Sequence, residues 1–350
     1  MKPYIIVGAG IAGLSIAQRL EERNIPYKII DSGINQSSKV AAGIINPLVF
    51  RRMSLSWRVA ELLPEAKRFY PGVEQFLGKE IFRPISIRRA FAHEQELDLW
   101  LEKQDLPEFS PYMKQLDEAD KNFTAIKQRC GTGLVRDCWW IDTKTLIGSW
   151  QQKLREEGKL MVQEFDYDKV DPENAAYDGM EFEELIFCEG YRAQQNPWFS
   201  LLPVQATKGE LLTVKNDFLP ENELYNYKCF VLPIGNQHFR VGATYSWDSP
   251  NTNLTEEARR ELEGHFQKIT DSAYEVVRHE AGVRPTSPDR KPILGRHPQY
   301  PKLSIYNGLG AKGYLISPLL SKEFISFLVD GTELHPEVSL KRFKVNVLMG

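Results

Sequence analysis

Apolar residues recur along this chain in two rhythms. Residues Pro3 to Val7 make a short unbroken apolar run, P-Y-I-I-V, of the length expected for a buried strand. Gly8, Gly10 and Gly13 follow, and then Leu14, Ala17 and Leu20 recur at helical intervals. Asn24 closes this helix, and Tyr27 to Ile30 form the next strand, ended by Asp31. Much later, the stretches Lys228 to Pro233 and His238 to Thr244 alternate between apolar and polar residues. Gly235-Asn236 joins them, which predicts a hairpin. Leu303 to Asn307 reads as a strand, and Gly308-Leu309-Gly310-Ala311-Lys312-Gly313 as a second glycine-rich turn. Leu315, Ile316, Leu319, Leu320, Phe324, Ile325 and Leu328 then form the apolar stripe of a helix that Gly331 stops. Ser317-Pro318 are either its cap and first position, or Pro318 sits inside an early turn. Either way a helix amino terminus faces the glycine turn.

The chain has 350 residues, enough for two or three domains at roughly 100–200 residues each. Hydrophobic residues make up 42% and charged residues 26%, which excludes wholesale disorder and a fibrous protein. A net charge of −3 names no partner, and nucleic acid is not expected. The four cysteines (Cys130, Cys138, Cys188, Cys229) form no C-x-x-C and are expected to be reduced. The six histidines are scattered without metal-ligand spacing, so no metal is expected. No apolar run approaches the ~18 residues of a membrane span. Tyr4 to Ala17 mimics a signal-peptide core, but its glycines at fixed spacing favour another reading. A cytoplasmic location is the expectation.

Strand, G-x-G-x-x-G, helix and acid in register have a shared physical purpose. Gly8 lets the chain turn tightly, and Gly10 lets a pyrophosphate approach the backbone. Gly13 lets the helix pack closely on the strands. The helix amino terminus offers unpaired N–H groups and a partial positive charge to phosphates. Asp31 lies 18 residues after Gly13, where an acid can bond the ribose hydroxyls and repel a 2′-phosphate. These features predict dinucleotide binding and argue against NADP, but do not separate FAD from NAD. The segment Ser37 to Pro47 is rich in small residues. It is either backbone for a flat cofactor to lie against or an ordinary loop feeding a helix.

The cradle, taken together with A-G-V-R-P-T-S-P-D-x-x-P-I-L-G from Ala281 and G-L-G-A-K-G-Y-L-I-S-P-L-L from Gly308, resembles the D-amino-acid oxidase-like FAD-dependent oxidoreductases. The nearest members are glycine oxidase and the FAD-dependent half of the bacterial enzyme making 5-methylaminomethyl-2-thiouridine in tRNA. Trp140-Ile141-Asp142-Thr143 with Leu146, Glu184 to Gly190, Lys208 to Leu212 and Phe239 to Thr244 resemble further family blocks, in family order.

The resemblance implies an α/β (α+β overall) fold. A Rossmann-like FAD-binding domain would comprise 1–49, 138–205 and 276–346, and a mainly antiparallel β substrate domain 50–137 and 206–275. It implies non-covalent FAD, since no cysteine lies within Gly308–Gly313. It assigns cofactor contacts to Gly8, Gly10, Ile11, Ala12, Gly13, Asp31, Ser32, Ala42, Gly43, Ile44, Val170, Gly190, Arg284, Gly308, Gly310, Ala311, Lys312, Gly313 and Tyr314. The chemistry implied is oxidation of the C–N bond of a small amine or amino-acid substrate by hydride transfer to flavin N5. The imine is then hydrolysed, and molecular oxygen or another acceptor takes the electrons. Arg284 stands at the family's R-P position and would pair with the substrate carboxylate; the alternative is a structural ion pair. Lys312 would hold negative charge on the flavin or bind substrate; the alternative is an exposed loop lysine.

Two further residues depart from the family pattern. Phe230 stands where glycine oxidase-like members carry a tyrosine, and Glu189 where the family carries a small or polar residue. The methyltransferase half of the tRNA enzyme is expected to be absent, because the cradle starts at Met1. Arg51, Arg52 and Arg58 with Trp57, followed by Arg88-Arg89, are candidates for an RNA patch but read as solvated charges on helices. Trp139-Trp140 read as core. The rival readings are a tRNA-modification oxidase and a non-catalytic flavoprotein.

Overall fold

The structure, a computed structural model, describes residues 1–34, 36–247 and 251–343. The elements that position the groove are, in chain order, β1 (Tyr4–Val7), α1 (Ile11–Glu22), β2 (Tyr27–Asp31), α2 (Ser37–Val40), β3 (Ile44–Ile45), α3 (Val59–Leu77), β4 (Phe82–Ala90), β5 (Thr132–Ile141), α4 (Thr143–Glu156), β6 (Leu160–Val162) and β7 (Glu184–Phe187). The second half adds β8 (Gln205–Lys215), β9 (Glu223–Asn226), β10 (Phe230–Gly235), β11 (His238–Gly242), α5 (Glu256–Phe266), β12 (Glu275–Thr286), β13 (Ile293–Arg296), β14 (Leu303–Asn307) and α6 (Gly313–Asp330).

Two sheets organise the chain. The first has the order β13-β14-β7-β1-β2-β6 and is parallel except for the edge pair β13–β14. β1 is fully buried on both faces, as an apolar run with parallel partners on either side requires. The second sheet has the order β12-β8-β11-β10-β9-β4-β5-β3 and is antiparallel except for the pair β9–β4. The mixed α/β class expected from the sequence is the class observed.

The strands of the first sheet come from three separated stretches of chain. The second sheet takes in pieces of the expected FAD segments at both edges. At one, Ile44–Ile45 pairs with Trp139 and Trp140 of β5. At the other, β12, expected in the FAD segment 276–346, pairs along its length with β8, from Gln205↔Thr286 to Lys215↔Glu275. That ladder supplies its backbone partners, and so it belongs with the antiparallel sheet. Residues 344–346 of the expected segment lie outside the described residues.

The hairpin β10–β11 forms, with its turn one residue later than predicted. Asn236 and Gln237 take φ of 55° and 59°, the paired left-handed conformation of the hairpin turn that matches strand twist. Gly331 closes α6 at φ 72°, as expected. Pro318 lies inside α6, the second of the two alternatives. With no N–H, Pro318 cannot bond the Tyr314 carbonyl one turn back. The Tyr70 hydroxyl of α3 donates to that carbonyl instead, at 2.5 Å. α1 packs against α6 through the Ser15 and Ser317 hydroxyls, 3.0 Å apart. Arg19 joins α1 to Glu65 at 2.7 Å and to the Pro318 carbonyl at 2.8 Å.

Candidate cofactor and substrate groove

A cavity of about 490 Å³ runs between the two sheets, from Gly8 and Asp31 at one end to Arg284 and Phe230 at the other. At the first end the backbone is packed too tightly for side chains. A Cβ on Gly13 would stand 1.9 Å from the Gly8 carbonyl oxygen, and one on Gly8, at φ 106°, 2.5 Å from the Cys188 oxygen. Gly13 therefore seats α1 on the strands, as expected, and it does not itself border the cavity. Gly10 caps α1 without a side chain, and the Ile11 N–H is met by the Ser38 hydroxyl at 3.0 Å. The N–H groups of Ala12 and Gly13, in the first turn, have no intrahelical acceptor. Asp31 borders the cavity and accepts from the Ala9 N–H at 2.5 Å and the Gly33 N–H at 2.6 Å. Each carboxylate oxygen keeps a lone pair for a further donor.

Ser32, Ala42, Gly43, Ile44, Gly190, Gly310, Ala311, Gly313 and Tyr314 also border the cavity, with Gly8, Gly10, Ile11 and Ala12. The Ser37 to Pro47 segment opens with the short helix α2 and then lines the groove. Besides Gly13, two expected contacts lie elsewhere. Val170 sits in a small three-stranded sheet (Val170–Asp171, Ala176–Tyr177, Met180–Glu181), packed against the apolar cluster around Phe187. Its neighbours Tyr167 and Phe165 reach the cavity where it does not. Gly308, at φ 75°, turns the chain behind the groove against Ile293.

Lys312 is not an exposed loop lysine. It is partly buried in a single turn (Gly310–Lys312), and its ammonium donates to the Asn46 carbonyl at 3.1 Å, the Leu48 carbonyl at 3.3 Å and the Ser56 hydroxyl. Burial pulls its pKa down to about 8. Asn46 and Ser56 give no motif signal in the sequence.

Arg284 makes no ion pair among the described residues, so the structural-ion-pair alternative finds no support. Its Nη1 donates to the Lys208 and Thr244 carbonyls at 3.3 and 3.4 Å, and its guanidinium lies 4.3 Å from the Tyr245 ring centroid. Burial lowers its pKa. The guanidinium lies flat on Gly209, where a Cβ would stand 2.1 Å from Nη2. Gly209→Ala is therefore expected to push Arg284 off its seat. Substrate KM should rise about tenfold, the scale of weakening one charge-assisted bond, while bound flavin per chain stays constant. Steady-state kinetics and flavin absorbance on one preparation check both.

Phe230 borders the cavity and covers Gly242, where a Cβ would meet its ring at 2.8 Å. Glu189 also borders it, accepting from the Tyr167 hydroxyl and from Asn196 Nδ2 at 2.8 Å; burial raises its pKa.

The basic residues flagged for RNA are largely neutralised. Arg58 pairs with Glu61 and Glu323, and Arg88 with Glu223 and Asp120. Arg89 pairs with Glu96. Arg88 and Arg89 are buried on β4, not solvated on a helix, because these acids meet them inside the fold. Arg51 and Arg52 are exposed. Trp139 stacks on Phe82 at 4.4 Å, and Trp140 Nε1 donates to the Ala42 carbonyl at 3.1 Å.

The family DAO, "FAD dependent oxidoreductase", matches residues 3–326. The chain belongs to this family.

As an FAD-dependent oxidoreductase it is similar to a glycine oxidase of Pseudomonas aeruginosa, 24% identical over 351 residues, which are 94% of this chain and 95% of that one. The crystal structure of glycine oxidase from Geobacillus kaustophilus superposes with a TM-score of 0.80 at 18% identity, covering 97% of this chain and 98% of that one. A tRNA 5-methylaminomethyl-2-thiouridine biosynthesis bifunctional protein of Legionella pneumophila is 22% identical over 383 residues. That match takes 93% of this oxidoreductase but 54% of the relative. Tight glycines at the first end of the groove, an open acid at Asp31 and unpaired helix N–H groups fit the cofactor of the family. No helix of the described residues is long and apolar enough to cross a membrane.

Proposed function

We propose that this oxidoreductase oxidises the C–N bond of a small, carboxylate-bearing amine to an imine, which water then hydrolyses. FAD, when bound, takes up the two electrons of that oxidation. Gly8, Gly10, Ile11, Ala12, Asp31 and Ser32 would hold its nucleotide half, and Ala42, Gly43, Ile44, Gly310 to Gly313 and Tyr314 its ring half. The observation that carries the substrate class is Arg284, a cation at the groove wall with no carboxylate partner among the described residues. Its planar fork suits a substrate carboxylate.

Phe230 supplies no hydroxyl, so Arg284 bears the anchoring alone. Lys312 and Arg284 both disfavour an ammonium nearby, so the amine enters neutral and needs no protein base to remove its proton. Oxygen or another acceptor would take the electrons. Four free thiols agree with a reducing, cytoplasmic setting.

The test is an anaerobic panel of amino acids, N-methyl amino acids and amines lacking a carboxylate. The flavin should bleach with a carboxylated amine and not with its decarboxylated counterpart. Bleaching indifferent to the carboxylate, or none across the panel, defeats the proposal. The match to the tRNA-modifying relative supports a second reading, a modified uridine side chain as substrate. Bleaching by that nucleoside alone would favour it.

A further inference from the structure

The backbone from α2 to the residues before β3 is held in an unusual way. Its carbonyls are taken one after another by side chains from four other elements. The Tyr314 hydroxyl of α6 donates to the Ser38 carbonyl at 2.7 Å. The Thr143 hydroxyl, at the start of α4, lies 3.0 Å from the Lys39 oxygen and 2.9 Å from the Ala41 oxygen. Trp140 of β5 holds the Ala42 carbonyl. Arg240 of β11 takes two: Nη1 donates to the Ala41 oxygen at 2.8 Å and Nη2 to the Val40 oxygen. Ser38, Val40, Ala41 and Ala42 all border the groove.

Arg240 is only 5% exposed. It makes no ion pair among the described residues, and its Nε–H, also buried, has no hydrogen-bond partner. Glu280 and Asp142 act on it only through space, and burial lowers its pKa. A buried guanidinium with carbonyls as its only partners is costly to the fold. A side chain serving packing alone would be apolar. The planar fork explains the choice of arginine, since two carbonyls of successive residues match two of its N–H groups.

We infer that Arg240 is a positioning residue for the cofactor. Its fork fixes the Val40–Ala41 backbone on which FAD rests, and its charge, unpaired within ion-pair distance, favours the electron-rich reduced cofactor. The inference rests on the reading of the groove as the FAD seat. Arg240 alternates with Gly242 on one face of β11, beneath Phe230. The sheet that carries Arg284 and Phe230 thereby also sets where the cofactor backbone lies.

The test uses holoenzyme of the wild type, Arg240→Met and Arg240→Lys. Two quantities are read: the FAD dissociation constant, from the fluorescence of released flavin, and the midpoint potential, by equilibration with redox dyes. Arg240→Met should raise the FAD dissociation constant at least tenfold and shift the reduction equilibrium about tenfold toward oxidised flavin, about 30 mV for two electrons. Arg240→Lys should restore the potential but not the affinity. An unchanged potential in Arg240→Met overturns the electrostatic half, and an unchanged dissociation constant overturns the clamp. Should Arg240→Met fail to fold, Thr143→Ala decides, because it removes the other donor to Ala41. A raised FAD dissociation constant then supports the clamp, and an unchanged one overturns it. A wild-type chain that takes up no FAD defeats the reading of the groove as a whole, a result distinct from any difference between variants.

Discussion

Arg284→Ala should lower kcat/KM for the carboxylated amine about a thousandfold while the protein stays yellow. Truncating one partner of a desolvated charge pair costs about 2–5 kcal/mol, and a thousandfold is about 4 kcal/mol of that scale. The upper part of the range applies for two reasons. The nearest lysine on its strand pair, Lys208, is already held by Glu210 at 2.9 Å, and Phe230 contributes no hydroxyl. Among the described residues the guanidinium bonds the Lys208 and Thr244 carbonyls, through weak contacts at 3.3 and 3.4 Å, and lies on the Tyr245 ring, so little of the fold depends on it. Arg284→Lys should recover only part of the loss, because an ammonium cannot reproduce the two parallel bonds. The check is kcat/KM with flavin content measured on the same sample. A variant with full activity on the true substrate would remove Arg284 from the site.

Gly13→Ala should act at the opposite end and on a different quantity. The added methyl would stand 1.9 Å from the Gly8 carbonyl oxygen. A flexible side chain could move aside, but here the obstacle is backbone, fixed by the bond from the Gly8 N–H to Ile30 at 2.8 Å. α1 must therefore lift from β1, at the ~3 kcal/mol upper end for overpacking a core. Lifting α1 also separates Ser15 from Ser317 and moves the first-turn N–H groups. The expected result is colourless protein, with a midpoint of thermal unfolding lowered by roughly 4 °C through the overpacking alone. Loss of the stabilisation that bound cofactor adds lowers the midpoint further. Scanning calorimetry with and without added FAD separates the two contributions: only the backbone contribution survives in the comparison of cofactor-free proteins.

The unit from Tyr4 to Asp31 was legible because its signals are local. An apolar run, three glycines and a helical stripe are contiguous, and the tight contacts of Gly8 and Gly13 follow from them. Leu303–Asn307 and the stop at Gly331 were legible for the same reason. The hairpin turn was misplaced by one residue because glycine is the usual bearer of positive φ, whereas Gln237 adopts it here. The place of Val170 outside the cavity lining was not legible, because a two-residue strand carries no periodic signal of its own. The β12 boundary was missed because a long strand reads the same whichever sheet receives it. The seat of Lys312 at Asn46, Leu48 and Ser56 spans more than 250 positions in sequence. Arg240 and Gly209 likewise take their meaning from partners on other strands, which no spacing within one motif reveals.

The bridge from Tyr70 to the carbonyl freed by Pro318 joins positions 244 apart, and the contact of Ser15 with Ser317 joins positions 302 apart. A chain emerging from the ribosome at roughly 5–20 residues per second exposes its first strand and helix long before α6 has been translated. Until then α1 lacks one of the surfaces that bury it, and the groove lacks the wall from Gly310 to Tyr314. Loading with FAD is thus a late event in the life of each molecule, and truncation anywhere before the last helix should yield insoluble rather than empty protein.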